Sequence, residues 1–308
     1  MLKVEGLNAG YGSVNILWDI GFEVKDGEIV AILGSNGAGK TTVFNLLTNV
    51  YQPTRGSILI DGMPTAGKKT YQVNRMGVAR TFQNIRLFKE LSVIDNIKVG
   101  LHESMKYNLA SSLLRMPNYW KEEKQCTERA LELLDIFHMA DLANAQAGSL
   151  PYGAQRRLEI MRALATGPKL LLLDEPAAGL DPEGRDDILS EVKEYHKKTG
   201  TTVLLVSHSM EDIAKYANRV LVMSNKKIAM YDTVEKVFAR APELLELGLS
   251  VPQVTKIFLK LREMGVDVPA DVYTIPYAVK TLLEAKRRRD AGESLVLPRS
   301  AARKGGAV

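Results

Sequence analysis

Cysteine and long apolar segments are what this sequence lacks. One of its 308 residues is cysteine, Cys126, so no disulfide can form within the chain. The start, MLKVEGLN, lacks the basic and then apolar order of a secretory signal. The longest apolar runs, at residues 29–33 and 170–173, are far shorter than the roughly 20 residues that cross a bilayer. We therefore expect a cytoplasmic protein in which any membrane role depends on a partner.

A large excess of one charge is also absent. The 41 basic and 36 acidic residues leave a net charge of +5, spread along the sequence. Such a charge permits contact with phosphates or an anionic membrane surface and requires neither. The sequence has no strongly basic domain of the kind that binds nucleic acid, and no internal repeat. Hydrophobic residues make up 45% of the chain, enough for one large core or two smaller ones.

Short apolar runs alternate with helical patterns along much of the chain. Strands are predicted near residues 2–4 and 20–24, and in the run GEIVAILG, which ends in a glycine loop. The later strands KLLLLDEP and TTVLLVSH are separated by a polar helix near residues 186–197, and a helix near residues 156–165 precedes them. Strands that alternate with helices predict an α/β fold with a mostly parallel sheet whose faces are covered.

Three segments depart from this alternation within or after the main domain, which we place at residues 1–240. A helical subdomain is predicted at about residues 95–165, where apolar residues recur at helical spacing. The clearest of these are Ala130, Leu131, Leu134 and Phe137. A small accessory domain is predicted at residues 241–290. One face of its first helix is predicted to comprise Val254, Ile257, Phe258 and Leu261. Residues 291–308 lack periodicity and are predicted to form a flexible tail.

The strongest motif follows the first buried strand. The segment GSNGAGKT, residues 34–41, matches the phosphate-loop pattern G-x-x-x-x-G-K-[ST] and lies between a predicted strand and a predicted helix. Its glycines let backbone N–H groups converge on phosphates, Lys40 reaches the β and γ phosphates, and Thr41 offers a hydroxyl to Mg²⁺. The alternative is an incidental glycine turn. The predicted phosphate-binding residues are Gly34, Ser35, Asn36, Gly37, Ala38, Gly39, Lys40, Thr41 and Thr42.

Two acids end the apolar run LLLLDE. At the tip of a buried strand, Asp174 is suited to bind a nucleotide-bound Mg²⁺ through water, and Glu175 to polarise the attacking water as general base. A pair of acids at a strand end is usually just solvated, but a preceding phosphate loop favours catalysis. The two motifs together predict a nucleotide hydrolase that uses Mg²⁺.

The narrower identity rests on segments around these motifs. AGYG at Tyr11, RTFQN at Gln83, LPYGAQRR at residues 150–157, AGLD ending at Asp181 and LLVSHSMED at His208 occur in the order seen in ABC ATPases. The chain resembles that family over about residues 1–240. The resemblance implies a P-loop fold with an antiparallel β subdomain near the N-terminus. It also implies a subunit that hydrolyses ATP, dimerises with itself or a related ATPase, and drives transmembrane permease subunits from the cytoplasmic face of the cell membrane, with no nucleic-acid partner.

The resemblance assigns roles to single residues. It implies that Tyr11 stacks on adenine, that Gln83 senses Mg²⁺ and the attacking water, and that His208 contacts the γ phosphate. A core tyrosine, a surface glutamine and a structural histidine are the plainer alternatives. Asp181 resembles the acid that reaches across the dimer, although Asp before Pro is also a good helix cap. The implied catalytic residues are Lys40, Gln83, Glu175 and His208. The implied metal ligands are Thr41, Gln83 and Asp174.

One segment departs from the family pattern. Where the family signature reads LSGGQ, this chain has LPYGA at residues 150–154. Pro151 has neither a hydroxyl nor an N–H to offer the γ phosphate bound by the opposite subunit, so that contact is weaker or absent. Gly153 and the helix start that follows still present N–H groups. A packing origin for Pro151 stays open, as does a module that binds nucleotide without turnover.

The subfamily resemblance changes along the chain. Residues 1–42 look most like one ATPase of bacterial branched-chain amino-acid importers, and residues 43–175 look like its companion subunit. From residue 176 to about 290 the chain is similar to ATPases of energy-coupling-factor importers. Because the permease-facing surface of the family lies near the middle segment, we expect branched-chain amino acids as the transported substrate. A vitamin or cobalt importer is the alternative, and a soluble ABC-type ATPase acting on nucleic acid or ribosomes ranks below both.

Overall fold

A computed structural model describes residues 1–11, 14–102 and 117–292 of the chain. The strands are β1 (Leu2–Tyr11), β2 (Val14–Val24), β3 (Ile29–Gly34), β4 (Arg55–Ile60), β5 (Met63–Pro64), β6 (Val78–Arg80), β7 (Leu170–Asp174), β8 (Thr202–Val206), β9 (Arg219–Ser224) and β10 (Lys227–Thr233). The helices are α1 (Lys40–Leu47), α2 (Thr70–Arg75), α3 (Val93–Leu101), α4 (Pro117–Ile136), α5 (Tyr152–Ala165), α6 (Pro182–Thr199), α7 (Met210–Tyr216), α8 (Val234–Ala239), α9 (Ala241–Glu246), α10 (Gln253–Glu263) and α11 (Ile275–Asp290). Among these helices none is both long and apolar enough to cross a bilayer.

The strands form two sheets. The larger sheet has the order β10-β9-β3-β8-β7-β6, and its neighbours run parallel except for β10 and β9. The smaller sheet, β2-β1-β4-β5, is antiparallel throughout. The predicted α/β fold, with a mostly parallel sheet and an antiparallel subdomain near the N-terminus, is confirmed. The strands β1 and β2 are longer than predicted because they pair with each other along most of their length.

The larger sheet separates two hydrophobic cores. In β3, Ala31 and Leu33 face one core, and Val30 and Ile32 face the other. This alternation follows from the two-residue period of a strand. All six residues of β3 are buried, since helices cover one face of the sheet, and α1 and the smaller sheet cover the other. The apolar runs of the sequence therefore mark central strands.

The helices α3, α4 and α5 pack together on one side of the larger sheet. In α4, Ala130 and Leu134 are fully buried, and so is Phe137, the residue that follows the helix, as the helical spacing predicts. Leu131 is also in this helix, as predicted, but it is 40% exposed. It lies one residue from Ala130, which turns it about 100° away around a helix axis. Residues 103–116 lie outside the described residues, and the extent of the helical subdomain stays a prediction.

The C-terminal region has a small core of its own. Its buried residues are Phe258, Val268, Val272 and Ala278. Of the face predicted for the first helix, Phe258 is buried and Val254 and Leu261 pack against this core, whereas Ile257 is 57% exposed. Residues 241, 244, 249 and 251 pack into the main core, so the separate core begins after Val251 and not at residue 241. The division of the chain into domains stays a prediction, and residues 293–308 of the predicted tail lie outside the described residues.

Candidate active site

The predicted functional residues converge on one edge of the larger sheet. The strands β3, β6, β7 and β8 are parallel, so their carboxyl ends meet there. In α/β sheets this edge is where ligands bind. The phosphate loop follows β3, Gln83 follows β6, Asp174 ends β7, and His208 follows β8. The topology therefore brings together segments that lie far apart in the sequence.

The phosphate loop needs its glycines at two positions. Gly39 has a φ of 101° and precedes α1, a left-handed conformation that side chains other than glycine rarely adopt. At Gly34, a β-carbon would lie 2.5 Å from the carbonyl oxygen of Met223 on the neighbouring strand β9. The loop can therefore turn tightly into α1 and present N–H groups at the helix start, the arrangement that binds phosphate.

Lys40 is buried within its own loop. Its Nζ donates to the carbonyl oxygen of Gly34 at 2.8 Å and to that of Ser35 at 3.1 Å. Burial lowers the pKa of Lys40, and the charges of Glu175 and Asp174 offset part of that shift. The ammonium therefore lies within electrostatic reach of both acids, which places the loop and the tip of β7 in one site.

Asp174 is buried at the end of β7 and pairs with an arginine that the sequence analysis missed. Arg80, the last residue of β6, donates through Nη2 to Asp174 Oδ2 at 3.0 Å, and both side chains are nearly inaccessible. A further guanidinium nitrogen donates to Asn45 Oδ1 on α1 at 2.7 Å. Burial raises the pKa of Asp174, and the charge of Arg80 offsets part of that shift. Arg80 could have been suspected because it directly precedes the segment TFQN.

Glu175 and His208 contact each other. The Nε2 of His208 lies 2.9 Å from Glu175 Oε1, and each side chain keeps some exposure. Glu175 has a φ of 50°, a left-handed backbone that is uncommon for a residue with a long side chain. Such outliers persist only where the surroundings enforce them, and they cluster at active sites.

Most of the remaining predicted residues of this edge are at least partly exposed. Gln83 and Thr41 are exposed, and Thr42 is partly exposed in the first turn of α1. Ser35, Asn36 and Gly37 form the exposed part of the loop, whereas Ala38 is buried. The backbone of Tyr11 ends β1, but its side chain lies outside the described part of the chain. Stacking of Tyr11 on adenine stays a prediction.

The signature segment begins α5. Pro151 is its N-terminal cap residue and supplies no side-chain cap, and Gly153 lies in the first turn. The hydroxyl of Tyr152, a residue the sequence analysis did not single out, donates to the carbonyl oxygen of Ala178 at 3.3 Å. Asp181 caps α6, because its Oδ1 accepts the N–H of Gly184 at 3.1 Å. The helix-cap interpretation of Asp181 therefore describes its contact within one chain, and its role across a dimer stays a prediction.

The chain matches a protein family and several of its curated relatives. The family model described as "ABC transporter" matches residues 17–178. The high-affinity branched-chain amino acid transport ATP-binding protein BraF of Pseudomonas aeruginosa is 39% identical over 81% of this chain and 97% of that protein. LivG of Escherichia coli K12, with the same description, is 40% identical over 77% and 93%. The energy-coupling factor transporter ATP-binding protein EcfA2 of Caldanaerobacter subterraneus is 37% identical over 93% and 98%.

Solved structures share the fold. The structure of cbiO1 from Clostridium perfringens, part of the ABC transporter complex cbiONQ, has a TM-score of 0.69 and 29% identity, over 85% of this chain and 96% of that one. An ATP-binding cassette of an ABC transporter in its ADP conformation also has a TM-score of 0.69 and 29% identity, over 80% of this chain and 97% of that one.

The family match, the identity of 37–40% to transport ATPases and the shared fold agree with one another. The chain belongs to the ABC transporter family and is an ATP-binding, ATP-hydrolysing subunit of that family.

Proposed function

We propose that this chain is the ATPase of a membrane importer, bound to transmembrane permease subunits at the cytoplasmic face of the cell membrane. The observation that carries the proposal is the common sheet edge at which Lys40, Asp174, Glu175 and His208 meet. Two ATPase subunits, identical or related, close head to tail around two ATP molecules. Hydrolysis reopens them, and the permease follows the motion.

In this proposal each side chain has a separate task. Lys40 exchanges the carbonyl oxygens of Gly34 and Ser35 for the β and γ phosphates, which bind an ammonium more strongly than a neutral carbonyl does. Glu175 accepts a proton from the attacking water. His208 lies against the carboxylate of Glu175 and is placed to contact the γ phosphate.

The residues near Asp174 fit Mg²⁺. A carboxylate, a hydroxyl and an amide oxygen are ligands that Mg²⁺ accepts, and Thr41, Gln83 and Asp174 would hold it. In the ranges that the structure describes, no group of three or more His, Cys, Asp or Glu side chains could hold a metal. This donor set suits an ion that keeps several waters and the phosphates of its nucleotide. When bound, the ion would neutralise charge on those phosphates.

Across the dimer, the start of α5 faces the second ATP. Pro151 removes one donor from the signature segment, and the N–H groups of Gly153 and Ala154 remain in the first turn. Asp181 stays at the start of α6, where the opposite subunit would meet it. The contact to the γ phosphate then depends on backbone donors alone.

A groove lies beside the glutamine loop, which is the segment after β6 that carries Gln83. This groove is the proposed permease site. It has a volume of about 480 Å³ and lies between the loop after β6 and the helices α3 and α5. The guanidinium of Arg162 lies over the ring of Phe88, and that of Arg86 over the ring of Phe82. A permease loop with apolar and acidic side chains matches this lining.

For the transported substrate we propose branched-chain amino acids, as for the proteins named BraF and LivG. The alternative is an energy-coupling-factor importer of vitamins or cobalt. EcfA2 supports that alternative, because its match extends over 93% of this chain and thus includes most of the C-terminal region.

Copurification tests the partner directly. The chain is coexpressed with a branched-chain amino-acid permease pair and, separately, with an energy-coupling-factor membrane subunit, and ATP hydrolysis is measured in each complex. We expect a stable complex with the first pair, whose transport of leucine stops in the variant Glu175→Gln. A complex with the second partner alone would select the alternative. Tight, salt-sensitive binding to RNA or DNA with neither complex would overturn the proposal.

A further inference from the structure

Arg156, in the first half of α5, is the largest fully buried side chain of the described residues. Its guanidinium donates hydrogen bonds to three consecutive backbone carbonyl groups at the catalytic edge. This is the edge of the larger sheet at which Lys40, Asp174, Glu175 and His208 lie. Nη2 donates to the carbonyl oxygens of Asp174 at 3.1 Å and Glu175 at 2.7 Å, and Nε donates to that of Pro176 at 3.1 Å. Arg156 therefore fixes the backbone of the predicted general base.

The other nitrogen of the same guanidinium holds the glutamine loop. Nη1 donates to the carbonyl oxygen of Phe82 at 2.7 Å and to Glu159 Oε2 at 2.7 Å. The second oxygen of Glu159 accepts the backbone N–H groups of Phe82 at 3.5 Å and Arg86 at 3.4 Å. The loop that carries Gln83 is thus bound at three backbone groups by one pair of side chains on α5.

The contacts to Glu175 explain its backbone. A left-handed conformation at a glutamate is unfavourable unless the surroundings hold it. The shortest of the three carbonyl contacts, at 2.7 Å, is the one to Glu175 itself. A charged donor forms a stronger bond with a carbonyl than a neutral one does, and the site is fully buried.

Stability alone gives little reason for this pair. Removing two charges from water costs more than many buried ion pairs return, and a well-packed apolar pair is often as stable. Glu159 also lines the groove that we assign to the permease. A continuous set of contacts therefore runs from that groove through Glu159 and Arg156 to Glu175.

We propose that Arg156 and Glu159 are a positioning pair that holds the glutamine loop and the backbone of Glu175 as one unit with the signature helix α5. Movement of α5 or of the permease groove then shifts the general base and the loop of Gln83 together. The inference rests on the proposed role of Glu175, because positioning matters only if that residue takes part in hydrolysis.

The test replaces the pair by apolar residues in the full chain, as Arg156→Met with Glu159→Leu. We expect the melting temperature to fall, because the four backbone carbonyl groups that Arg156 contacts lose their donor, although no unpaired charge is left buried; kcat is therefore measured well below the unfolding transition. The kcat for ATP should fall by about 10²-fold, as for a reacting group displaced by 1 Å. The KM for ATP should change by less than about 3-fold, since the phosphate loop is untouched.

Two further variants are compared with the double variant, one as a control and one as an intermediate. Arg157, the next residue of α5, pairs with Glu191 and Asp187 instead of the catalytic edge, so Arg157→Met should keep kcat within about 2-fold. Arg156→Lys keeps the charge but not the planar fork, and kcat should fall to a value between those of the wild type and the double variant. Should the double variant not fold, a wild-type kcat in Arg156→Lys overturns the inference.

A third variant separates this inference from the proposed function. Glu175→Gln combined with the double variant should lose much less than a further 10²-fold relative to Glu175→Gln alone, because part of the effect of the pair runs through Glu175 and only the part that runs through the loop of Gln83 remains. If the double variant keeps the wild-type kcat while Glu175→Gln is inactive, the positioning pair is wrong and the general base stands. If Glu175→Gln itself keeps its turnover, the assignment of the base is wrong, and the inference falls with it.

Discussion

The catalytic edge and the C-terminal region differ in what they bury. At the edge, Lys40, Arg80, Arg156, Glu159 and Asp174 are buried and hydrogen-bonded, chiefly to backbone groups or to each other. The C-terminal region from Pro252 onwards buries four apolar residues of its own. Its last helix, α11, instead exposes Ile275, Val279, Leu282 and Leu283.

The difference reflects two ways of using side chains. Buried polar groups that are hydrogen-bonded to one another and to the backbone specify one arrangement of the chain and are costly to disturb. A small core buries less apolar surface and is therefore easier to unfold. The C-terminal region contacts the main core, and not the catalytic edge, where Tyr273 packs against Phe238, with ring centroids 5.9 Å apart. We therefore expect changes at the edge to affect chemistry, and changes in the C-terminal region to affect local stability.

The largest effect is expected at the general base. Glu175→Gln keeps the shape of the side chain but cannot accept a proton, so ATP hydrolysis should fall by roughly 10²–10⁴-fold. Nucleotide binding should persist, because Lys40 and the phosphate loop are unchanged. Phosphate release and the binding of a fluorescent ATP analogue measure the two properties. Wild-type turnover in this variant would contradict the assignment of Glu175 as the general base of the catalytic edge.

Phe258 tests the other region. Phe258→Ala should lower the free energy of unfolding of the C-terminal region by about 3–5 kcal/mol. We expect this loss to unfold a core that has only four buried residues. Hydrogen exchange should then rise across α10 and α11, while kcat for ATP stays within about 2-fold of the wild type. Ile257→Ala is the matched control, because that side chain is exposed. A loss of hydrolysis as large as that in Glu175→Gln would contradict the separation of the two regions.

Lys40 tests nucleotide binding at the catalytic edge, as distinct from hydrolysis. Lys40→Ala removes a charge-assisted contact to the phosphates worth about 1.5–3 kcal/mol, so the affinity for ATP should fall by roughly 10–100-fold. Lys169→Ala is the control, since that lysine precedes β7 at the opposite edge of the sheet and pairs with Asp61. Calorimetric titration with ATP measures both variants. Equal affinities would show that the loop does not hold the phosphates.

The smallest effect is expected at Glu191, on α6, outside the catalytic edge. Burial raises its pKa to about 7, although Arg157 offsets part of that shift. The folded state thus binds more protons than the unfolded state between about pH 4.5 and 7, so the stability from this group is complete below that range and is lost as the pH rises through it. Glu191→Gln should remove this slope, worth about 1 kcal/mol after solvent screening. Urea unfolding at several pH values measures it; an unchanged slope would exclude Glu191 as its source.

Much of the edge could be predicted from the sequence. The phosphate loop and the run LLLLDE have local patterns, and parallel strands must bring their carboxyl ends together. The contact between His208 and Glu175 follows the same rule, since β7 and β8 are neighbours. Local motifs and the alternation of strands with helices were sufficient to place these residues.

Arg156 and Glu159 could not be predicted in this way. In α5 they look like ordinary charged residues three positions apart, which most often form a solvated pair. Their burial arises from the glutamine loop and the tip of β7, which lie 74 and 18 residues away in the chain. The exposure of Ile257 and Leu131 could not be predicted either. Helical spacing alone does not decide which of two adjacent apolar residues is buried.

A crystal structure of Glu175→Gln with ATP tests most directly whether residues 34–41 bind the phosphates of the nucleotide. We expect a polyphosphate enclosed by residues 34–41, with Lys40 Nζ bound to it and no longer to the carbonyl oxygens of Gly34 and Ser35. A nucleotide bound elsewhere, with Lys40 still folded onto its own loop, would contradict this expectation.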